Sequence, residues 1–372
     1  MNSFGSALRL TIWGESHGVA IGGVLDGLPP GMLVDQASIQ RDLDQRRPGG
    51  PLASARKETD RLEIMSGVRD GHATGAPLAF LLRNEDARPQ DYPDGVLRAG
   101  HGDWPAWAAS NGWADLRGGG HGSGRLTAVL VAAGALVRPL LDCHGLAAAA
   151  TLQSVGDVEA PAFEGAAEEM ERRVATSPLR SAHPALAQTF QERIEGARRD
   201  RDSVGGSIAF LADGVPPGLG EPFFGSLESS LASLLFSIPA VVGVAFGAGF
   251  AATRMAGSDL NDPFGLRDGR VVPLSNKAGG VLGGRSTGAP VHGRVAIKPA
   301  SSIAQPQASV NAESSREETV TVTGRHDPCI ALRAVPVVAA ALRFALADAL
   351  VAAQAKGLLV AHSWPARGPK PA

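Results

Sequence analysis

Three features of the 372-residue chain predict an α+β fold, with two sheets and a helical layer. First, the segment Val19 to Gly31 (VAIGGVLDGLPPG) returns as Gly205 to Gly218 (GGSIAFLADGVPPG). The turns Asp26-Gly-Leu-Pro-Pro-Gly31 and Asp213-Gly-Val-Pro-Pro-Gly218 thus lie about half a chain apart, which predicts two related halves, roughly 1–190 and 191–360 of a single domain, each with its own sheet. Second, two alanine-rich stretches, Leu126 to Leu141 and Pro336 to Gln354, are apolar nearly all round. Helices of that kind are buried on several sides, as in a layer between sheets or between subunits. Third, 47 glycines and 26 prolines, about a fifth of the chain, predict many tight loops.

In chain order, apolar runs predict strands over Leu8 to Trp13 and Val19 to Leu25, the second leading into the first Pro-Pro turn. A helix over Gln36 to Arg46 follows, N-capped by Asp35, whose carboxylate accepts from the unbonded first-turn N–H groups. Strands are expected at Leu62 to Met65 and Pro77 to Leu82, then the Leu126 helix. The charge-dense stretches Glu164 to Arg173 and Gln191 to Asp202 read as solvated helical surface, with a helix over Pro184 to Arg199. The second Pro-Pro turn is likewise preceded by a strand and followed by a helix, about Ser226 to Ser237. Ser229 to Thr253 carries no charge, but Pro239, Gly243, Gly247 and Gly249 divide it into that helix, a turn and a strand over Val241 to Phe246 rather than a membrane span. Strands over Val291 to Lys298 and Thr319 to Thr323, the Pro336 helix and a flexible tail over 361–372 complete the expected order.

The charge balance of −2, with no block of like charges, argues against nucleic acid or an anionic membrane as partners. Cys143 and Cys329 are too few for a disulfide framework or a thiolate zinc site, and Met1 to Leu10 lacks the layout of a signal peptide. A reducing, cytoplasmic setting is expected.

Gly14-Glu15-Ser16-His17-Gly18 matches the G-x-S-x-G nucleophile elbow in form. The elbow requires a helix after the serine, and here a strand is expected, so the more useful residue is His17, a proton donor on a loop leaving a strand or simply a turn residue. Gly247-Ala-Gly-Phe-Ala-Ala252 matches a dinucleotide fingerprint but is read as a strand end. Gly118-Gly-Gly-His121-Gly-Ser123-Gly-Arg125 runs into a helix, with exposed N–H groups, a capping serine and an arginine suited to a phosphate or carboxylate. Arginines next to glycine and proline (Arg41, Arg46, Arg47, Arg56, Arg325) suit bidentate recognition of a small, multiply anionic ligand. Together with His17 and His101 they suggest anion recognition and acid–base chemistry. No metal-ligating spacing is seen, and the nine histidines are dispersed.

These strings, with Asp42-Leu-Asp-Gln-Arg-Arg-Pro-Gly49, Gly100-His101, Arg117-Gly-Gly-Gly120, Ala278-Gly-Gly280, Lys298-Pro299 and Gly324-Arg-His-Asp-Pro-Cys329, resemble chorismate synthase from about Phe4 to Leu350. The resemblance implies a lyase of the shikimate pathway that removes phosphate and a ring proton from 5-enolpyruvylshikimate 3-phosphate to give chorismate. It implies reduced FMN as cofactor, with NADPH as reductant in members that reduce their own flavin, and no net redox change. It further implies a helical layer between two antiparallel four-stranded sheets, and a homotetramer.

By similarity, His17 protonates the departing phosphate, His101 protonates or steadies the reduced flavin, and Asp327 assists proton removal. Arg41, Arg46, Arg47, Ser123, Arg125 and Arg325 are expected in the substrate pocket. Flavin contacts are expected from His121, Gly122, Ser123, Pro239, Ala240, Gly283, Lys298, Ala300, Ser301, Ser302 and Arg325. The chain departs from the family where His121-Gly122 replaces Arg-Ser, Pro239 replaces Asn, Lys277 replaces His, and Leu126 and Ala339 stand where glutamate is usual. Gly-Asp-Trp-Pro-Ala-Trp follows His101 in place of Ala-Asp-Tyr-Thr. A diverged paralogue acting on a related cyclohexene phosphate, a non-catalytic binding subunit and a serine hydrolase are the competing readings.

Overall fold

A computed structural model describes residues 1–47, 58–86, 90, 92, 95–322, 327–359 and 364. Strands β1 (Ser3–Phe4), β2 (Arg9–Gly14), β3 (Ala20–Asp26), β4 (Leu62–Ile64) and β5 (Leu78–Arg83) form an antiparallel sheet in the order β1-β2-β3-β5-β4. Its inner face comes from period-two alternation: Leu78, Phe80 and Leu82 of β5 are buried while their neighbours are less so. Gly23 lies opposite Phe80, and a Cβ there would come within 2.8 Å of Val129 and 2.9 Å of the Phe80 ring. The missing side chain therefore lets a helix seat directly on the sheet.

A second antiparallel sheet contains β6 (Ala147–Val155), β7 (Val158–Glu159), β8 (Gly206–Asp213), β9 (Val241–Phe246) and β10 (Val291–Ile297), in the order β9-β10-β8-β6-β7. Each sheet has five strands where four were expected, because the two-residue edge strands β1 and β7 pair onto it. The inner order β2-β3-β5-β4 recurs as β6-β8-β10-β9. Strand β6 lies before the expected division near residue 190, yet it pairs with β8.

Besides a four-residue helical turn at Gly257–Leu260, the helices are α1 (Gln36–Arg46), α2 (Asp103–Ala109), α3 (Thr127–Leu136), α4 (Arg138–Asp142), α5 (Ala167–Thr176), α6 (Ala187–Arg199), α7 (Leu227–Phe236) and α8 (Ala331–Ala355). Helix α3 packs on β3, α1 and α8, whereas α8 packs on β6, β8 and α7. The two apolar helices meet at Gly134, where a Cβ would come within 2.6 Å of Ala340. Leu342, Phe344 and Leu346 of α8 are fully buried, each burial contributing roughly 1.5–3 kcal/mol.

The expected Leu126–Leu141 helix breaks at Val137, before Pro139, and its first turn is a 3-10 turn. Helix α8 starts five residues before Pro336. The strand expected at Thr319–Thr323 is the second arm of a hairpin, Gln307–Asn311 with Arg316–Val320. The uncharged stretch 229–253 divides as expected into α7 and β9, followed by a 3-10 turn at Gly249–Arg254. Arg117–Asp142 and Ala331–Ala355 are long and apolar enough to cross a membrane by composition, but 78% of the most apolar stretch of each is buried within the protein. Their apolar surface is already covered.

Candidate functional site

A cleft of about 720 Å³ opens where the glycine loop, the loop before α2, the segment after β10 and the start of α8 converge. Its deepest charge is set by local chain geometry. The last turn of α1 delivers Arg46, a 3-10 turn capped by Ser123 delivers Arg125, and Asp60 meets both. Arg46 is 2% exposed and donates to Asp60 Oδ2 at 3.1 Å, Thr127 Oγ1 at 3.1 Å and the Gly124 carbonyl at 2.7 Å. Arg125 donates to Asp60 Oδ1, to Asn84 Oδ1 at 2.9 Å and to the Arg83 carbonyl at 3.1 Å.

Burial lowers the Arg46 guanidinium from its ordinary value to about 9, with repulsion from Arg333 adding to the effect and Asp60 opposing it. It still carries its charge at neutral pH. Burial would raise the Asp60 carboxyl, but Arg46 and Arg125 outweigh it and hold it below the usual range. Arg333 in turn donates to Asp327 Oδ2 at 2.7 Å, and its buried Nε has no hydrogen-bond partner among the described residues. Arg46, Arg125 and Arg333 share the carboxylates of Asp60 and Asp327, so an incoming anion relieves their mutual repulsion.

The histidines flank the glycine loop. Gly118, Gly119 and Gly120 all have positive φ, and a Cβ on Gly118 would lie 2.4 Å from the His17 ring. A Cβ on Gly119 would lie 3.3 Å from the His101 ring. His17 Nδ1 lies 3.1 Å from the Arg117 carbonyl and its ring meets Tyr92 edge-on at 5.0 Å. It sits behind the wall that Gly118 and Tyr92 present to the cleft. His101 Nδ1 donates to Asp103 Oδ1 at 2.7 Å. Across the cleft, Lys298 donates to the Gly100 carbonyl at 2.7 Å and Ser301 does the same at 2.7 Å, clasping the loop that carries His101.

Of the residues expected in the site, Arg46, His101, His121, Gly122, Ser123, Arg125, Pro239, Ala240, Lys298, Ala300, Ser301, Ser302 and Asp327 line the cleft together. His121 Nδ1 donates to the Gly14 carbonyl at 2.8 Å, so it ties the glycine loop to β2. Arg41 is exposed beside Asp35, and Arg47 is turned onto Asp44 and the Thr59 carbonyl. Gly283 lies in the turn between Val281–Leu282 and Arg285–Ser286, away from the lining, and Lys277 is turned onto the Asp259 carbonyl. Arg325 and Arg56 lie outside the described residues. Ser16 is fully buried and β3 follows it, which is not the exposed serine and helix of a nucleophile elbow.

Sequence reasoning missed Asp60, Arg98, Asp103 and Arg333. Only Asp103 carried a signal, two residues from His101 in His-Gly-Asp; the others come together solely through the fold.

The cleft volume lies within the roughly 300–1,000 Å³ of small-molecule and cofactor sites. Apolar Ile238, Ile297, Ile330 and Val337 line it beside the cations, a set suited to a planar ring carrying phosphate. The family model for chorismate synthase matches residues 8–351. The chain belongs to the chorismate synthase family. Chorismate synthase of Aeropyrum pernix is 43% identical over 95% of this chain and 94% of its own length. The Archaeoglobus fulgidus and Opitutus terrae enzymes are each 44% identical, over 94% and 93% of this chain and 97% and 96% of theirs. A crystal structure of chorismate synthase superposes with a TM-score of 0.73 at 28% identity, covering 93% of this chain and 92% of that one. Membership makes the chain a lyase of the shikimate pathway and of aromatic amino-acid biosynthesis.

Proposed function

We propose that this cleft binds 5-enolpyruvylshikimate 3-phosphate beside reduced FMN and eliminates phosphate from it to give chorismate. The observation that carries the reading is the buried Arg46–Asp60–Arg125 group beside Arg333: it favours a multiply anionic ligand in the cleft that His101 and Asp327 also line. In the reaction the ring C–O bond to phosphate breaks and a ring proton is lost, so a carbon–carbon double bond forms with no net redox change. Reduced FMN, when bound, would lend a transient electron that eases phosphate loss and would take it back as the ring proton leaves. The cationic Arg46, Arg125 and Arg333 attract the phosphate and carboxylates; His17, which the family resemblance makes the proton donor to the departing phosphate, stands behind Gly118 and Tyr92 at the cleft wall; and Asp327, aligned by Arg333, takes part in removing the ring proton.

The flavin would be held by the cleft-lining segments around His121 to Ser123, Pro239-Ala240 and Lys298 to Ser302, and NADPH would serve as reductant if the chain reduces its own flavin. The two sheets enclose α3 and α8 as a helical layer, and the shared strand order supports descent of the halves from one unit. The enzyme acts in the cytoplasm as a homotetramer. Supporting that assembly, Phe223, Phe224, Phe250, Phe264 and Leu266 are all exposed within one stretch of the second half. Light scattering on a sizing column is expected to give four copies of the 38.2 kDa chain, and a monomer mass would refute it.

The deciding experiment is anaerobic turnover of 5-enolpyruvylshikimate 3-phosphate with photoreduced FMN, following phosphate release and product mass. One phosphate and one chorismate per substrate consumed are expected. Flavin binding without chorismate would point to a related phosphate as substrate, and no flavin binding would overturn the assignment.

A further inference from the structure

Asp103 opens α2 and is 2% exposed. Its carboxylate is met by donors on both oxygens: Oδ1 accepts from His101 Nδ1 at 2.7 Å and Arg98 Nη2 at 2.8 Å, while Oδ2 accepts from Arg98 Nε at 2.8 Å and the Arg98 backbone N–H at 3.0 Å. Burial alone would raise this carboxyl, but its bonds to Arg98 and His101 hold it well below the usual carboxylate range. It is therefore an anion and has no proton to give. Arg98 Nη2 also lies 3.1 Å from His101 Nδ1, but a guanidinium cannot donate to a nitrogen already donating to a carboxylate, so that approach only reflects their shared acceptor.

We propose that Asp103 is the positioning residue for His101: it fixes the imidazole with its proton on Nδ1 and turns the Nε2 edge toward Gly119 in the cleft wall. This rests on the activity proposed above. Among the described residues, the charged groups in contact with His101 are Arg98 and Asp103, with Lys298 clasping the preceding Gly100 from the segment after β10. Because Arg98 neutralises Asp103, the carboxylate sets the tautomer and ring orientation without presenting an uncompensated charge to the cleft. In other Asp–His pairs this second partner decides which nitrogen meets the reactant.

The test is the ¹⁵N spectrum of histidine-labelled full-length protein by magic-angle spinning, without flavin or substrate, with His101 assigned by its loss in His101→Gln. Wild-type His101 is expected to carry its proton on Nδ1. In Asp103→Asn the single amide oxygen is claimed by Arg98 and the NH₂ group turns to the ring, so the proton is expected to move to Nε2. Turnover of that variant is expected to fall about 10²- to 10⁴-fold with KM for the phosphate substrate little changed. Asp103→Glu, which keeps an acceptor, is expected to retain the Nδ1 tautomer and recover part of the rate. A wild-type His101 protonated on Nε2 overturns the proposal even if no variant folds, as does an Asn variant with unchanged tautomer and rate. Wild-type protein that shows the Nδ1 tautomer yet makes no chorismate instead refutes the proposed activity, and with it the catalytic part of this role.

Discussion

At Gly118 a single missing methyl group keeps an imidazole in place. The backbone there has φ of 59°, and any side chain would strain it and meet the His17 ring 2.4 Å away. Gly118→Ala is expected to cost more than about 2 kcal/mol in thermal unfolding and to lower turnover about 10²-fold, since displacements near 1 Å at a reacting group are that costly. A normal melting curve with normal turnover would show that the ring can give way. Ala240 presents the opposite case: it lines the cleft at φ of 73° although it has a side chain. Ala240→Gly is expected to raise stability by roughly 1 kcal/mol, measured by denaturant unfolding, because glycine adopts that region without the steric cost. Asp60 tests the buried charges directly. Asp60→Ala leaves Arg46 and Arg125 without their shared carboxylate, and a loss of about 3–5 kcal/mol is expected by the same measurement.

Elements joined by buried charge show what the sequence could and could not reveal. Arg343 of α8 is 6% exposed and donates to Asp42 of α1 at 2.9 Å, Glu171 of α5 at 2.6 Å and the Ala148 carbonyl of β6 at 3.1 Å. Arg138 shares Glu171, so Arg343→Leu is expected to cost about 3 kcal/mol rather than the full penalty of two stranded carboxylates. Loss of less than about 1 kcal/mol in chemical denaturation would show that Arg138 suffices. Helix α1 was legible to the residue because Asp35 caps it, accepting from the N–H groups of Ala37 and Ser38, and apolar periodicity sets its inner face. Strand β9 was legible because Pro239 and Gly247 bracket an apolar run. Strand β6 was not: Ala147-Ala-Ala-Ala-Thr-Leu-Gln-Ser-Val155 has weak strand preference, and pairing with β8 and packing on α8 decide its state. Helix α2 was missed because Pro105 reads as a breaker, although in a first turn its missing N–H costs little. In the site, His17, His101 and the glycine loop stood out as motifs. Asp60 and Arg333 did not, since a charge acquires meaning there only from what the fold sets against it.

For the whole molecule, the carboxylates that organise the cleft and the helix junctions set the response to acid. Asp60, Asp103, Asp115 and Glu171 all have lowered pKa values: burial opposes the shift at Asp60, Asp103 and Glu171, where arginine partners outweigh it, and the hydrogen bond from Arg117 leads at Asp115. A carboxyl whose folded pKa is depressed adds stability that is present above its unfolded value, near 3.8 for Asp and 4.5 for Glu, and is lost as pH falls through the folded value. Stability should therefore be flat from pH 7 to about 5 as far as these groups are concerned, then decline as the unfolded chain takes up protons that the folded chain refuses. Asp60→Asn removes one of those groups, so its stability is expected to fall less steeply between about pH 5 and pH 3 than that of the wild type, even though it starts lower. Urea unfolding at a series of pH values measures both slopes. Parallel slopes would mean that Asp60 titrates alike in the folded and unfolded chains, which is incompatible with two guanidinium groups bonded to it.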